Sequence, residues 1–327
     1  MNRYKEIDIL KGIAITFVLL GHAIIFFPVN LHTIGWCSKL FAFVSMVHMS
    51  LFFAVSGFCF GIRGGYLNFI RKKVKRLVIP YFVFCFIDAF FRVLFPQFIN
   101  RDSSISEIIK NTFLYGGELW FLYCLFIIFV IFPGIAFLYD RYSVSRLIIP
   151  VVLFGMILIS PKVPSVLTLS NVFRYLFVFY LGFVVKKNLP LLSERWNRLK
   201  KYVPILTVFS FVLWCAAVIL ICDVKDILLF RLLAGFFGMV SIISAVLRFS
   251  DSVLLKPFEN IGKYSLQLYL LNGYTLTAAR VIMVNLLGVT SALPIIAFNM
   301  VLTLGGSYLV IHFIIGKVKP FRFICGM

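Results

Sequence analysis

Residues 8–29 read DILKGIAITFVLLGHAIIFFPV, and residues 41–62 read FAFVSMVHMSLFFAVSGFCFGI. Each stretch is about twenty mostly apolar residues long. At roughly 1.5 Å of rise per residue, such a helix matches the ~30 Å hydrocarbon thickness of a bilayer. The pattern recurs near 77–96, 117–138, 146–161, 168–185, 203–222, 227–248, 264–287 and 292–315. The sequence therefore predicts an all-α, multi-pass integral membrane helical bundle of about ten transmembrane helices.

Composition agrees with that reading. Hydrophobic residues make up 62% of the 327 and charged residues 13%, whereas a soluble domain carries about 25% charged residues. A soluble fold could not bury so much apolar surface. Connections between spans are short, which predicts a single transmembrane domain over 1–327. The first span lacks a small-residue cleavage site and is followed directly by a second, so it is expected to be a retained helix and not a signal peptide.

A net charge of +20 would raise the question of nucleic acid in a soluble protein, but its distribution answers otherwise. Of the 32 Lys and Arg residues, 23 fall in the segments 1–11, 63–76, 140–146, 186–202, 248–263 and 317–327. Only Lys39, Arg101, Lys110, Lys162 and Lys225 occupy the alternate connections. By the positive-inside rule both termini are cytoplasmic, in the cytoplasmic (inner) membrane of the cell, and the partners are membrane lipids and not nucleic acid. The remaining four, Arg92, Arg174, Arg231 and Arg280, fall in or at the ends of apolar spans, where a charge costs a few kcal/mol. Arg92 is expected to snorkel; for the other three, snorkelling and a polar cavity both fit. The seven cysteines show no CxxC pair and no metal-ligand spacing, so they are expected to be packing residues, with no metal bound.

Ionisable residues are scarce in the first span: Asp8, Lys11 and His22. Lys11 and His22 are eleven positions apart, about 16 Å and almost three turns, so they share one helix face. Asp8 stands three residues before Lys11 and can pair with it. His48 follows the loop centre near Gly35 by as many residues as His22 precedes it, so an antiparallel hairpin is expected to bring the two imidazoles to similar depth. One buried histidine is most often structural. Two at one depth, with Ser50, Ser56 and Gly57 nearby, point to a polar cavity where a proton can be exchanged. At the cytoplasmic side, residues 69–82 read FIRKKVKRLVIPYF. Topology control beside anionic lipid explains that run, and so does a clamp for substrate phosphates, for which the guanidinium of Arg71 or Arg76 is well shaped.

Taken together these motifs resemble the membrane acyltransferase 3 family, whose members O-acylate cell-surface carbohydrates. Its first helix places a basic residue and a His with ten residues between, as Lys11 and His22 are placed here. Its FFxxSG stretch is similar to FFAVSGF at Phe52 to Phe58, and its RxxxPY segment to RLVIPY at Arg76 to Tyr81. ELWFL at Glu118 to Leu122, RYLFVFYLGF at Arg174 to Phe183 and IGKYSLQLYLLN at Ile261 to Asn272 resemble further family segments, so the resemblance covers nearly the whole chain. Two positions depart from the pattern: Lys11 stands where most members have Arg, and Asn272 where many have His.

The resemblance implies transfer of an acyl group, acetyl foremost, from cytoplasmic acyl-CoA to a hydroxyl of a surface polysaccharide or lipid-linked oligosaccharide. Acetyl-CoA is then a donor substrate, and no cofactor is permanently bound. His22 is the implied general base, with His48 beside it as a second catalytic candidate. Lys11, Arg71 and Arg76 are the candidates for the CoA phosphates. Asp8, Ser56, Glu118, Trp120 and Arg174 are candidates to line the substrate cavity. Direct attack by the deprotonated alcohol and an acyl-histidine intermediate both fit. The rival is a transporter or flippase for a lipid-linked glycan, since buried arginines also line substrate paths, although no internal repeat is visible.

Overall fold

The computed structural model describes residues 4–25, 29–94, 104–224 and 227–326. Among them there is no strand, and nine helices are long and apolar enough to cross a membrane. The chain is an all-α, multi-pass membrane protein. In chain order its principal helices are α1 (Lys5–Ile25), α2 (Gly35–Phe58), α3 (Tyr66–Leu94), α4 (Trp120–Arg141), α5 (Ser145–Ile159) and α6 (Leu169–Lys187). There follow α7 (Leu189–Leu199), α8 (Val203–Ile219), α9 (Leu228–Phe249), α10 (Lys256–Lys263), α11 (Ser265–Arg280) and α12 (Ala292–Val310).

Three boundaries differ informatively from expectation. The span expected at 264–287 is helical, α11 running on into a wide π turn at Val281–Leu286, yet it is not among the nine. Gln267, Asn272, Thr275, Thr277 and Arg280 make it too polar to face lipid, and Gln267, Asn272 and Arg280 are buried in protein instead. The second span begins at Gly35 rather than 41, and the third at Tyr66 rather than 77. The basic run expected to precede the third span forms its first turns, because Lys and Arg are good helix formers. Residues 1–3, 26–28 and 95–96 of the expected segments, and the expected outer-loop residues Arg101 and Lys225, lie outside the described residues.

The described residues cluster into two compact units. The first comprises Met1–Val55 and Val185–Ile311. Here α1 crosses α10 with backbone against backbone: a Cβ on Gly12 would overlap the Phe258 carbonyl, and one on Gly262 the Asp8 carbonyl. Only glycine permits that approach. Toward the other end of α1, Ala23 and Ile24 share an apolar cluster with Leu31, Leu276, Ile295 and Ile296, which packs α1 against α11 and α12. Helices α8 and α9 pair through Thr207, whose hydroxyl donates to Ser244 Oγ at 2.8 Å. Trp214 of α8 stacks on Phe43 of α2 at 3.8 Å between ring centroids.

The second unit comprises Ser56–Val184 and His312–Met327. Its centre is aromatic, with Phe60 within 4.9–6.5 Å of the rings of Phe69, Phe129, Phe132, Phe179 and Phe183. Gly57 lies so close to α6 that a Cβ would overlap the Phe179 carbonyl. Helix α3 widens into a π turn at Val74–Val78, where the Ile79 N–H bonds the Val74 carbonyl. Pro80 explains the widening, since it has no N–H for the Arg76 carbonyl and its ring would clash there in a regular helix. Tyr81, almost fully buried, donates its hydroxyl proton to the Thr112 carbonyl.

Candidate active site

In the first unit, the last turn of α1 carries His22 to α11, where its Nδ1 lies 2.7 Å from Oδ1 of Asn272. Asn272 is 4% exposed, and its Nδ2 donates to the carbonyl of Tyr269 on its own helix. That bond fixes which end of the amide faces the imidazole: the nitrogen is committed as a donor, so the oxygen accepts. His22 therefore carries its proton on Nδ1 and its lone pair on Nε2, as a general base or nucleophile requires. Proton uptake at Nε2 strengthens the Nδ1–H bond to Asn272, the logic of an orienting residue behind a catalytic histidine.

The same helix fixes the backbone beside His22. Arg280, two turns beyond Asn272, is 0% exposed, and its guanidinium donates to the carbonyls of Ala23 and Val29. A cation on the carbonyl end of a helix is favourable on both hydrogen-bond and dipole grounds. Of the two roles the sequence left open for Arg280, snorkelling and cavity lining, neither describes it. It is a cap on α1.

His48 donates from Nδ1 to the Val44 carbonyl, 2.8 Å away and one turn earlier in α2. Its Nε2 likewise keeps the lone pair. Gly21 faces Phe41 and Val44, so His48, one turn beyond Val44, sits deeper than His22, and the expected equal depth is not what the helices adopt. The cause is the early start of α2. Because side chains lean toward the start of their own helix, the two imidazoles in this antiparallel pair lean toward each other and lie within electrostatic range. Asp8 is buried at the α10 crossing and pairs with Lys11 at 3.7 Å, leaving Lys11 partly exposed.

The other expected site residues belong to the second unit. Arg71 and Arg76 are exposed on the first turns of α3. Arg71 lines a cleft of about 550 Å³ with Gly64, Gly65, Tyr66 and Asn68. Gly64 and Gly65 have φ of 73° and 83°, which demands glycine, and Asn68 Nδ2 holds the Gly64 carbonyl at 2.8 Å. Between the arginines, Lys73 turns inward, its ammonium 3.6 Å from the Phe129 ring centre. Ser56 is half-buried on α2 beside Gly57.

Glu118, Trp120 and Arg174 each find a neighbour in this unit. Arg92 is bonded to Asp88 at 2.7 Å and to Glu118 at 3.2 Å, so it is held in an ion triad and does not simply snorkel. Trp120 stacks near Tyr175 at 5.9 Å, and the Arg174 guanidinium is an electrostatic neighbour of the Tyr175 hydroxyl. Arg231 is exposed on α9. Among the described residues, no group of three or more His, Cys, Asp or Glu side chains is placed to hold a metal ion.

Sequence reasoning had flagged Asn272 only as a departure and had not seen Arg280 as its companion. Their signal was present: Gln267, Asn272 and Arg280 make this helix more polar than the other spans, the mark of a helix buried in protein.

A family described as an acyltransferase domain matches residues 4–312, and the chain belongs to this acyltransferase 3 family. Among curated proteins it is similar to nodulation protein NolL of Mesorhizobium japonicum (strain LMG 29417 / CECT 9101 / MAFF 303099), 26% identical over 192 residues, covering 56% of this chain and 48% of that protein. It is also similar to nodulation protein NolL of Sinorhizobium fredii (strain NBRC 101917 / NGR234), 23% identical over 227 residues, covering 68% and 58%. The chain thus spans about half the length of the curated relatives it matches. No solved structure matches it.

Proposed function

We propose that the chain transfers an acyl group, acetyl foremost, from cytoplasmic acyl-CoA to a hydroxyl of a surface polysaccharide or lipid-linked oligosaccharide in the cytoplasmic membrane. The observation that carries this reading is the His22–Asn272 pair. A buried amide that commits its nitrogen to a carbonyl and its oxygen to Nδ1 presents Nε2 as a base, in a family whose members move acyl groups.

In the proposed reaction Nε2 of His22 takes the acceptor proton as the acceptor oxygen attacks the thioester carbon, and the thiolate of CoA leaves. For the CoA phosphates the candidates are Lys11 in the first unit and, in the second, Arg71 and Arg76, whose guanidinium groups offer forked donor pairs. Ser56 is the candidate to steady the carbonyl oxygen, because the one N–H of neutral His48 is already given to the Val44 carbonyl. Transport of a lipid-linked glycan drew its support from buried arginines, and the capping role of Arg280 removes the most buried of them from that argument.

The test is His22→Ala. It should abolish acetylation of surface glycan, measured by mass analysis, and thiol release from acetyl-CoA by purified protein, while the amount of protein in the membrane stays the same. Continued acetylation by this variant would overturn the assignment.

A further inference from the structure

Helix α12 buries a row of polar side chains. Asn299, Thr303 and Ser307 recur every fourth residue and so share one face, and each is 0% exposed. Among the described residues, neither polar atom of the Asn299 amide nor the Thr303 hydroxyl has a hydrogen-bond partner. A buried amide or hydroxyl left unpaired costs about 1–3 kcal/mol. Groups of this kind are held by something that can both give and take hydrogen bonds.

Contacts at each end of the row show where it faces. One turn before Asn299, Ile295 packs in the cluster that contains Leu276 of α11 and Ala23 of α1. One turn after Thr303, Ser307 Oγ lies 3.5 Å from Thr275 Oγ1 of α11. Asn299 and Thr303 therefore occupy the stretch of α12 turned toward α11 and α1. Ala23 directly follows His22, and Thr275 stands three residues beyond Asn272, so this is the wall beside the His22–Asn272 pair.

We propose that the seam holds a file of internal water, and that this file takes the proton from His22 after each transfer. The inference rests on the reaction proposed above. There the acceptor O–H bond breaks and its proton passes to Nε2, the acceptor oxygen bonds the acyl carbon, the C–S bond breaks, and the thiolate is protonated by water on its own side. His22 is left as an imidazolium that must lose a proton before the next turnover. Asn272 cannot receive it, because its oxygen already accepts the Nδ1–H bond and a neutral amide is a poor base. Water held by Asn299 and Thr303 can. Both side chains donate and accept, so each can anchor a water without fixing its proton direction. They are positioning residues, acting on His22 through solvent.

The experiment uses purified protein, thiol release from acetyl-CoA and surface glycan of the host cells as acceptor. For Asn299→Leu and for the nearly isosteric Thr303→Val, kcat should fall about tenfold, KM for acetyl-CoA and for the glycan should hold, and the solvent deuterium isotope effect on kcat should rise. Asn299→Ser, which keeps a group able to bind water, should recover most of the rate. Thermal stability should be little changed or higher, because a fully buried polar group has been replaced by an apolar one. Full activity with an unchanged isotope effect in both variants overturns the relay. So does a raised KM for the glycan, which would make the seam a substrate contact. If His22→Ala is inactive while both variants are fully active, the reaction stands and the relay falls. If His22→Ala is active, the reaction fails and the relay with it.

Discussion

His22 and Asn272, 250 positions apart in the chain, meet through a 2.7 Å hydrogen bond between Nδ1 and Oδ1. Because Asn272 also donates to the Tyr269 carbonyl, its amide cannot turn over without losing that bond, so it sets the tautomer as well as the angle of the imidazole. Asn272→Leu keeps the volume and removes both functions. Acyl transfer should fall about a hundredfold or more, by analogy with the loss of an orienting acceptor behind a catalytic histidine. Protein level in the membrane should be little changed. Asn272→His supplies another neutral ring acceptor and should retain far more activity than the leucine variant. Equal activity in the two variants would show that the bond does not orient the base.

Much of this arrangement was legible in the sequence, for identifiable reasons. Helix positions followed from bilayer-length apolar runs, and the pairing of Asp8 with Lys11 from their spacing. Positions set by tertiary contact were not legible. Periodicity cannot reveal that α11 passes His22, so Asn272 read as a missing histidine when it is the acceptor His22 needs. Arg280 reads as an isolated charge in a membrane span, because its partners are backbone carbonyls and leave no side-chain signature. Arg92 looked like a lone snorkelling charge because Glu118, its second partner, is 26 residues away. The depth of His48 was not legible because α2 begins at Gly35, the residue expected to be the centre of the loop, which moves His48 further along its helix.

Arg280 supports α1 from the same helix that orients His22. Its guanidinium spans two carbonyls, Ala23 and Val29, which no other side chain can do at that reach. Arg280→Met strands both buried acceptors and should cost about 2 kcal/mol or more. Arg280→Lys can satisfy one carbonyl at a time and should fall between the methionine variant and the parent. Thermal unfolding in detergent reads the order directly. Transfer should decline together with stability, since the residue beside Ala23 is His22. A methionine variant as stable as the parent would remove Arg280 from the scaffold.

At the opposite end of α1, the glycine contacts make a sharper steric claim. Gly262→Ala drives a methyl group into the Asp8 carbonyl, and Gly12→Ala drives one into the Phe258 carbonyl. The obstacle in each case is backbone, which cannot rotate aside as a side chain does. Each substitution should destabilise the first unit by about 1–3 kcal/mol or more and lower the yield of folded protein. Gly305→Ala is the matched control, because a Cβ there meets nothing within 4 Å. It should leave folding and transfer intact. Size-exclusion profiles and thermal unfolding of the three variants distinguish a backbone contact from a general intolerance of alanine in these helices.

The exposed arginines of α3 make a prediction about binding, separable from chemistry. Arg71 stands beside the Gly64–Gly65 turn and its cleft, and Arg76 follows one and a half turns later, at the π turn imposed by Pro80. Neither lies near His22 in sequence, and a guanidinium, always protonated, is no base for the acceptor proton. Their proposed work is to hold phosphate, an interaction made equally in the ground state and the transition state. Removing such a contact raises KM and leaves kcat in place. Arg71→Gln and Arg76→Gln should each raise KM for acetyl-CoA by about three- to tenfold, a range set by their solvent exposure and by the strength of charge-assisted bonds. The increase should shrink at high salt, where the remaining cations are screened as well. Arg→Lys at the same positions keeps the charge but loses the fork, and should give an intermediate KM. If the glutamine variants lower kcat at saturating acetyl-CoA with KM unchanged, the basic run serves the chemical step or the fold, and its proposed phosphate role is overturned.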